Sequence, residues 1–170
     1  MIAESIERDF NQHIQFEMAS SYLYLSMAAW CEEQGLRGFG NWMRQQSEEE
    51  RLHVMKFFDF VLDRGGKVRL EAIEAPENEW KSPLDVFEAA YAHECEVTRR
   101  IFRLVDTVME VRDHATNAFL QWFVNEQVEE EANVGDVVSR LRLVGDDGRG
   151  ILLIDQELAA RAAPKPEDVA

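Results

Sequence analysis

The sequence predicts an all-α fold, a four-helix bundle with one long crossover and a short fifth C-terminal helix. Three observations predict it. Apolar residues recur at alternating steps of three and four along almost the whole chain, the spacing of one face of an α-helix. Glycine and proline punctuation cuts that pattern into four long pieces and a short one. One connection, from Gly65 to Lys81, is too long for an ordinary bundle turn.

The first helix is expected from about Ser5 to Glu33, ending at Gly35 and Gly38. The second runs from about Phe39 and stops at Gly65-Gly66, since glycine takes the left-handed conformation that closes helices. Ser82-Pro83-Leu84-Asp85 reads as a start, with Ser82 as N-cap and Pro83 at the first helical position, and this third helix runs to about Arg112. Asp113 can cap a fourth helix that ends at Gly145. After Gly148-Arg149-Gly150 a short apolar helix spans Ile151 to about Ala162, followed by a tail with Pro164 and Pro166. The bundle so defined covers about residues 5–144 of one domain, 1–170.

Short links between the first and second helices, and between the third and fourth, favour antiparallel hairpins. A helix of about 28 residues is about 42 Å long. The roughly 17 residues of the long connection reach about 56 Å when extended, enough to cross the bundle from end to end. Two hairpins joined by one such crossover form a known bundle variant. The fifth helix, Ile151-Leu152-Leu153-Ile154 with Leu158 and Ala159, is too apolar to lie free in water. It packs at a subunit interface or docks on its own bundle, and its apolarity favours the interface.

Bulk properties narrow the function. With 170 residues, 46% hydrophobic and 30% charged, the chain reads as one soluble globular domain. It lacks a run of about 18 apolar residues, so no membrane span is expected. Met1-Ile2-Ala3-Glu4 has no basic region followed by an apolar one, so no secretory signal is expected. Cys31 and Cys95 lie far apart and read as reduced thiols in a cytoplasmic protein. A net charge of -15 argues against nucleic acid or anionic membrane as partners and is compatible with cations.

The apolar stripes carry the chemistry. The first reads Ile6, Phe10, His13, Glu17, Ser20, Tyr24, Met27, and the second Phe39, Met43, Gln46, Glu50, His53, Phe57, Phe60. The third reads Leu84, Phe87, Tyr91, Glu94, Thr98, Ile101, Val105, Val108. The fourth reads Thr116, Leu120, Phe123, Gln127, Glu130, Val134, Val137, Leu141. Each is interrupted by an acid near its middle, so Glu17, Glu50, Glu94 and Glu130 fall at about one level. Ionised carboxylates buried together without compensation cost several kcal/mol each. No Lys or Arg interrupts the stripes there. Metal is the natural counter-charge, because four carboxylates offset two divalent cations, and His53 adds a nitrogen one helical turn from Glu50. Oxygen-rich ligation with imidazole suits iron or manganese better than thiolate-seeking metals. A single acid on a stripe more often marks a boundary or an ion pair. Four coincident interruptions do not.

Glu50-Arg51-Leu52-His53, with Glu17 before it and Glu94 after it, follows the order of ferritin-like di-iron proteins. The second copy of the motif is Gln127-Val128-Glu129-Glu130. Gln127 and Glu130 stand where bacterioferritins and rubrerythrin-like proteins carry Glu and His, and this pair resembles the non-haem ferritins. Ala19-Ser20-Ser21-Tyr22-Leu23-Tyr24-Leu25-Ser26-Met27, Ser47-Glu48-Glu49-Glu50, Gln121-Trp122-Phe123 and Ile154-Asp155-Gln156-Glu157-Leu158 also resemble ferritin segments. The resemblance covers nearly the whole chain. It implies a 24-subunit homo-oligomeric shell in the cytoplasm that oxidises Fe(II) with O2 or H2O2 and stores ferric mineral. It also implies that the fifth helix lies at a four-fold interface.

Carried over by position, the resemblance puts Glu17, Glu50 and His53 on one iron. Glu50 as the bridge, Glu94 and Glu130 then hold the second, with Gln127 near it on a water. Tyr24 matches a tyrosine beside the di-iron site, either an electron donor to oxygen or a packing residue bonded to a ligand carboxylate. Glu49, Glu126 and Glu129 match glutamates that hold a third iron in bacterial ferritins, or form a solvated acidic face. Arg51 stands where bacterioferritins carry the Met that ligates haem, so no haem is expected. Leu52 and Val128 replace residues that are commonly acidic or polar, and commonly His, in relatives. His13 stands where Gln is usual and reads as a core histidine rather than an extra ligand.

Rival classes fit less well. A di-iron oxidase acting on an organic substrate needs an apolar pocket at the irons, whereas Phe57, Phe123 and Trp122 suggest a closed core. A non-catalytic storage subunit would lack the ligand set. A rubrerythrin-like electron carrier would have a Cys-x-x-Cys iron domain. A DNA-protecting miniferritin lacks the fifth helix and places its metal between subunits.

Overall fold

Local chemistry sets the helix ends. Ser82 Oγ accepts from the Asp85 N–H at 3.1 Å, and Asp113 accepts from the Thr116 N–H at 3.1 Å, each satisfying a first-turn donor that has no intrahelical partner. Gly65, at φ 72°, donates to the Leu62 carbonyl while Gly66 donates to Val61 O, a paired closure that ends the second helix. The computed structural model describes residues 2–165, so Pro166 of the C-terminal tail lies outside them. Five helices and no strands occur among these residues: α1 (Glu4–Glu33), α2 (Arg37–Asp63), α3 (Pro83–Glu110), α4 (His114–Val144) and α5 (Gly148–Leu158).

Two boundaries differ from the sequence reading. Gly38 lies in the first turn of α2, not in the break after α1. Its role is tertiary, since a Cβ there would stand 1.6 Å from the Asp155 carbonyl oxygen of α5. α5 starts three residues earlier than expected and stops at Leu158. Asp147 caps it by accepting from the Arg149 N–H at 3.2 Å, which draws Gly148 and Gly150 into the helix.

α1 packs on α2 and α3 on α4, the two expected hairpins. The Ile2 N–H donates to Arg64 O, so the start of α1 lies beside the end of α2. Arg64 then reaches the start of α4, donating to both carboxylate oxygens of Asp113 at 3.2 and 2.9 Å and to Thr116 Oγ1 at 3.0 Å. The helices therefore run up, down, down and up. The crossover follows α1 in register. Asn11 binds Lys67 O and the Arg69 N–H, Gln15 binds Ala72 O, and Ser26 binds Glu77 O. Side-chain amides and hydroxyls of α1 thus satisfy an extended segment that has no ladder of its own.

The core falls into two apolar clusters. The lower one is built on Ile6, Phe10, Ile14, Phe57, Val61, Ile101, Leu120 and Phe123. The upper one contains Met27, Phe39, Met43, Phe87, Val134, Leu141 and Ile154. α3 turns slightly from its predicted face, so that Ala90, Val97 and Leu104 are buried while Tyr91 is 38% exposed. α5 docks on its own bundle through Ile154, with Ile151 and Leu158 against the upper cluster. Asp155 accepts from the Phe39 N–H at 2.8 Å, placing an acid on the positive N-terminus of α2. Leu152 and Leu153 face outward, more than half exposed. No helix among the described residues is long and apolar enough to cross a membrane.

Candidate metal centre

Between the two apolar clusters lies a polar layer. Glu17, Ser20, Gln46, Glu50, His53, Glu94, Gln127 and Glu130 are all buried there, at 3% exposure or less. All four helices contribute. Ligand atoms of Glu17, Glu50 and His53 lie within 4.8 Å of one another. His53 Nδ1 stands 3.5 Å from Glu50 Oε2, and its ring is set edge-on against Trp122 and Phe123. Both Glu17 oxygens, Glu50 Oε2 and His53 Nε2 are buried with no hydrogen-bond partner. Buried polar atoms of native proteins are nearly always satisfied. This set, three carboxylate oxygens and an imidazole nitrogen, fits a divalent cation.

Glu94 is held differently. Tyr24 Oη donates to Glu94 Oε1, and Gln127 Nε2 donates to Glu94 Oε2 at 3.2 Å. The predicted tyrosine and glutamine thus both meet the same carboxylate. Glu130 Oε2 accepts from Gln46 Nε2 at 2.7 Å. Glu130 also belongs to a second cluster, within 4.8 Å of Glu49 and Glu126. Glu129 is exposed and stands outside that cluster. It is turned by about 100° from Glu130 on the helix, which carries it off the inward face.

The electrostatics follow from burial. Burial and the charge of Glu17 raise the Glu50 carboxyl to about 7. Burial and Glu50 raise Glu94 to about 8, against the opposing hydrogen bonds from Tyr24 and Gln127. Burial, Glu94 and Glu49 push Glu130 well above the ordinary carboxylate range. Burial alone would lower His53, but the close carboxylate of Glu50, with the charges of Glu17 and Glu130, outweighs it and raises His53 to about 10. Burial, helped by the charge of Glu94, lifts the Tyr24 phenol well above its usual value, so it stays a hydrogen-bond donor. Without a cation this layer holds protons it would not hold in water.

Further residues complete the layer. His13 Nε2 comes within 2.7 Å of Glu17 Oε1, without the alignment of a hydrogen bond. Burial, reinforced by Arg100, lowers its pKa to about 3, so the ring is neutral. His93 shares a 2.7 Å hydrogen bond with Ser20 and stands edge-on to Tyr24 at 5.9 Å. Gln46 has no role in the sequence pattern beyond its place on the stripe, and its contact with Glu130 gives it one. Arg161, past the end of α5, donates to Gln46 Oε1 at 2.7 Å and to Glu49 Oε2. Helical periodicity could not assign that contact, because Arg161 follows the last periodic element.

A profile of the ferritin-like domain family matches residues 8–144. A bacterial non-heme ferritin of Bacteroides fragilis is 40% identical over 161 residues, covering 95% of this chain and all of the relative. One of Staphylococcus aureus is 35% identical over 161 residues, covering 95% and 97%. Among solved structures, an open-pore ferritin from the hyperthermophilic archaeon Archaeoglobus fulgidus superposes with a TM-score of 0.94 at 52% identity, covering 95% of this chain and 99% of that one. Sequence, fold and the interrupted core agree, and the chain belongs to the ferritin family.

Proposed function

We propose that this ferritin is a ferroxidase subunit, oxidising Fe(II) at an intra-subunit two-iron centre and storing the product inside a homo-oligomeric shell. The reading rests on one observation, the buried layer in which Glu17, Glu50 and His53 converge with unpartnered ligand atoms. One iron sits among those three. The second takes Glu50 as bridge with Glu94 and Glu130, while Gln127 holds Glu94 and a water. Each Fe(II) gives up one electron, and the pair reduces O2 to H2O2, or H2O2 to water. Carboxylates stabilise the ferric product more than the ferrous substrate. The chain assembles as a 24-subunit shell in the cytoplasm, with the outward leucines of α5 buried between subunits. It binds no haem, nucleic acid or membrane.

Tyr24 is the proposed extra electron donor, since its hydroxyl touches the Glu94 carboxylate directly. Glu49, Glu126 and Glu130 form a third iron position, and exposed Glu129 stands outside it. Stopped-flow oxidation of Fe(II) by assembled shells tests the assignment. Glu50→Ala and His53→Ala are each expected to lower the initial rate by at least roughly 100-fold, since loss of even an outer-shell partner of a metal ligand costs about 10–100-fold. Undiminished rates in either variant would remove the centre from the reaction.

A further inference from the structure

Arg161 occupies an unusual position for a residue beyond the last helix. Its guanidinium lies over the Trp42 ring, 4.4 Å from the centroid, and donates to Gln46 Oε1 and Glu49 Oε2. The backbone that delivers it is fixed as well. Asn41 Nδ2 donates to Ala159 O and to Arg161 O at 3.3 and 3.0 Å, and Asn41 Oδ1 accepts from Gln45 Nε2 at 3.0 Å. Stacking, two side-chain hydrogen bonds and a pinned main chain define one placement for this cation.

The charges explain what the placement does. Glu17, Glu50, Glu94 and Glu130 match two divalent cations in formal charge, leaving Glu49 and Glu126 of the outer cluster. Glu49 has Arg161 as its ion-pair partner. Glu126 feels the positive charge of Lys56, which lies over Trp122. Glu49 is therefore already offset by a cation of the chain itself, whereas on Glu126 burial outweighs the weaker influence of Lys56. A third iron entering between Glu49, Glu126 and Glu130 meets a Glu49 that is already paired before it arrives.

We infer that Arg161 is a built-in competitor for the third metal position, a cationic side chain that must leave Glu49 before a third ion can be held there. Displacement costs the guanidinium's hydrogen bonds to Trp42 O, Gln46 Oε1 and Glu49 Oε2, each charge-assisted and the last to an opposite charge, so the third ion binds weakly and briefly. Gln46 extends the effect inward. Its oxygen accepts from Arg161 while its amide nitrogen donates to Glu130 Oε2. Release of Arg161 therefore frees Gln46 to turn, loosening the Glu130 carboxylate that the second iron and the third position share. Arg161 is a positioning residue in this scheme: it touches no reacting atom and sets how long oxidised iron rests before moving on. The inference rests on the proposed third position.

Anaerobic calorimetric titration of assembled, metal-free shells with Fe(II) alone tests it, on the wild type, Arg161→Gln and Arg161→Lys. The first tight equivalent per subunit, held by Glu17, Glu50 and His53, should be unchanged in all three. The third should bind roughly tenfold more tightly in Arg161→Gln, the order expected when one charge-assisted interaction no longer has to be broken. In Arg161→Lys, which keeps a charge without the planar fork, the gain should be smaller. If Arg161→Gln does not assemble, Arg161→Lys alone must still show a tighter third equivalent. A third equivalent of equal affinity in all assembled proteins would overturn the role of Arg161 and leave the third position standing. No third equivalent in any of them would overturn both.

Discussion

At the scale of single residues, the central feature is a set of carboxyls that burial holds partly protonated. Glu50 and Glu94 rise to about 7 and about 8, and His53 to about 10. A group whose pKa is raised by folding stabilises the fold below its unfolded value, and that contribution is lost as pH rises through the folded value. Between pH 6.5 and 8 all three act in this direction, while His13, lowered to about 3, remains neutral across the window. Metal-free protein is therefore expected to melt at a lower temperature at pH 8 than at pH 6.5. Bound divalent metal reverses the trend, because its ligands must be deprotonated. Calorimetric scans with and without Zn(II) at the two pH values check both signs. For Tyr24, Tyr24→Phe should leave the first iron addition nearly intact and slow oxidation after repeated additions. Unchanged kinetics, with no loss of a radical signal, would leave Tyr24 a packing role. The acids of the layer were legible in the sequence because each interrupts an apolar stripe. Gln46 and Arg161 were not. A neutral amide on a stripe does not demand a partner as a carboxylate does, and Arg161 meets Gln46 and Glu49 through the path of the chain after α5, which no periodicity encodes.

Elements explain how the layer is held at one height. Four helices of similar length put their midpoints together only if their ends are tied, and Arg64 ties the end of α2 to the start of α4 through Asp113 and Thr116. The pair is about four-fifths shielded and bidentate, so Arg64→Ala should cost about 1–3 kcal/mol in equilibrium unfolding, more than an exposed pair. At the opposite end, Gly38 admits the α5 backbone where any side chain would collide with it. Gly38→Ala is expected to unseat α5 at a cost of about 1–3 kcal/mol, read as faster proteolytic cleavage around residues 146–162 while the bundle stays folded. Helix number, order and the caps at Ser82 and Asp113 followed from sequence, since each depends on neighbours a few residues away. The placement of Gly38 in α2 and the early start of α5 did not. Gly38 is placed by a contact between α2 and α5, over 100 residues apart in the chain, and α5 starts early because the Asp147 cap carries the helix through two glycines that otherwise read as a break.

The whole molecule joins a strongly acidic chain, at -15, to a core with an acidic layer between two apolar clusters. Those clusters fold the bundle, and the layer between them is what a cation would complete. One face of α5 is satisfied by its own bundle while Leu152 and Leu153 remain exposed, the arrangement expected of an element that also packs between subunits. Replacing both by Lys is expected to shift the proposed shell toward smaller species in sedimentation, with helical content unchanged. The proposed two-iron centre has a more direct test. Anomalous diffraction at the iron edge, from a crystal soaked aerobically in Fe(II), should show two strong peaks per subunit. One is predicted among Glu17, Glu50 and His53, and the other among Glu50, Glu94 and Glu130. Iron density confined to the outer glutamates or the shell surface, with none in the buried layer, would contradict the account.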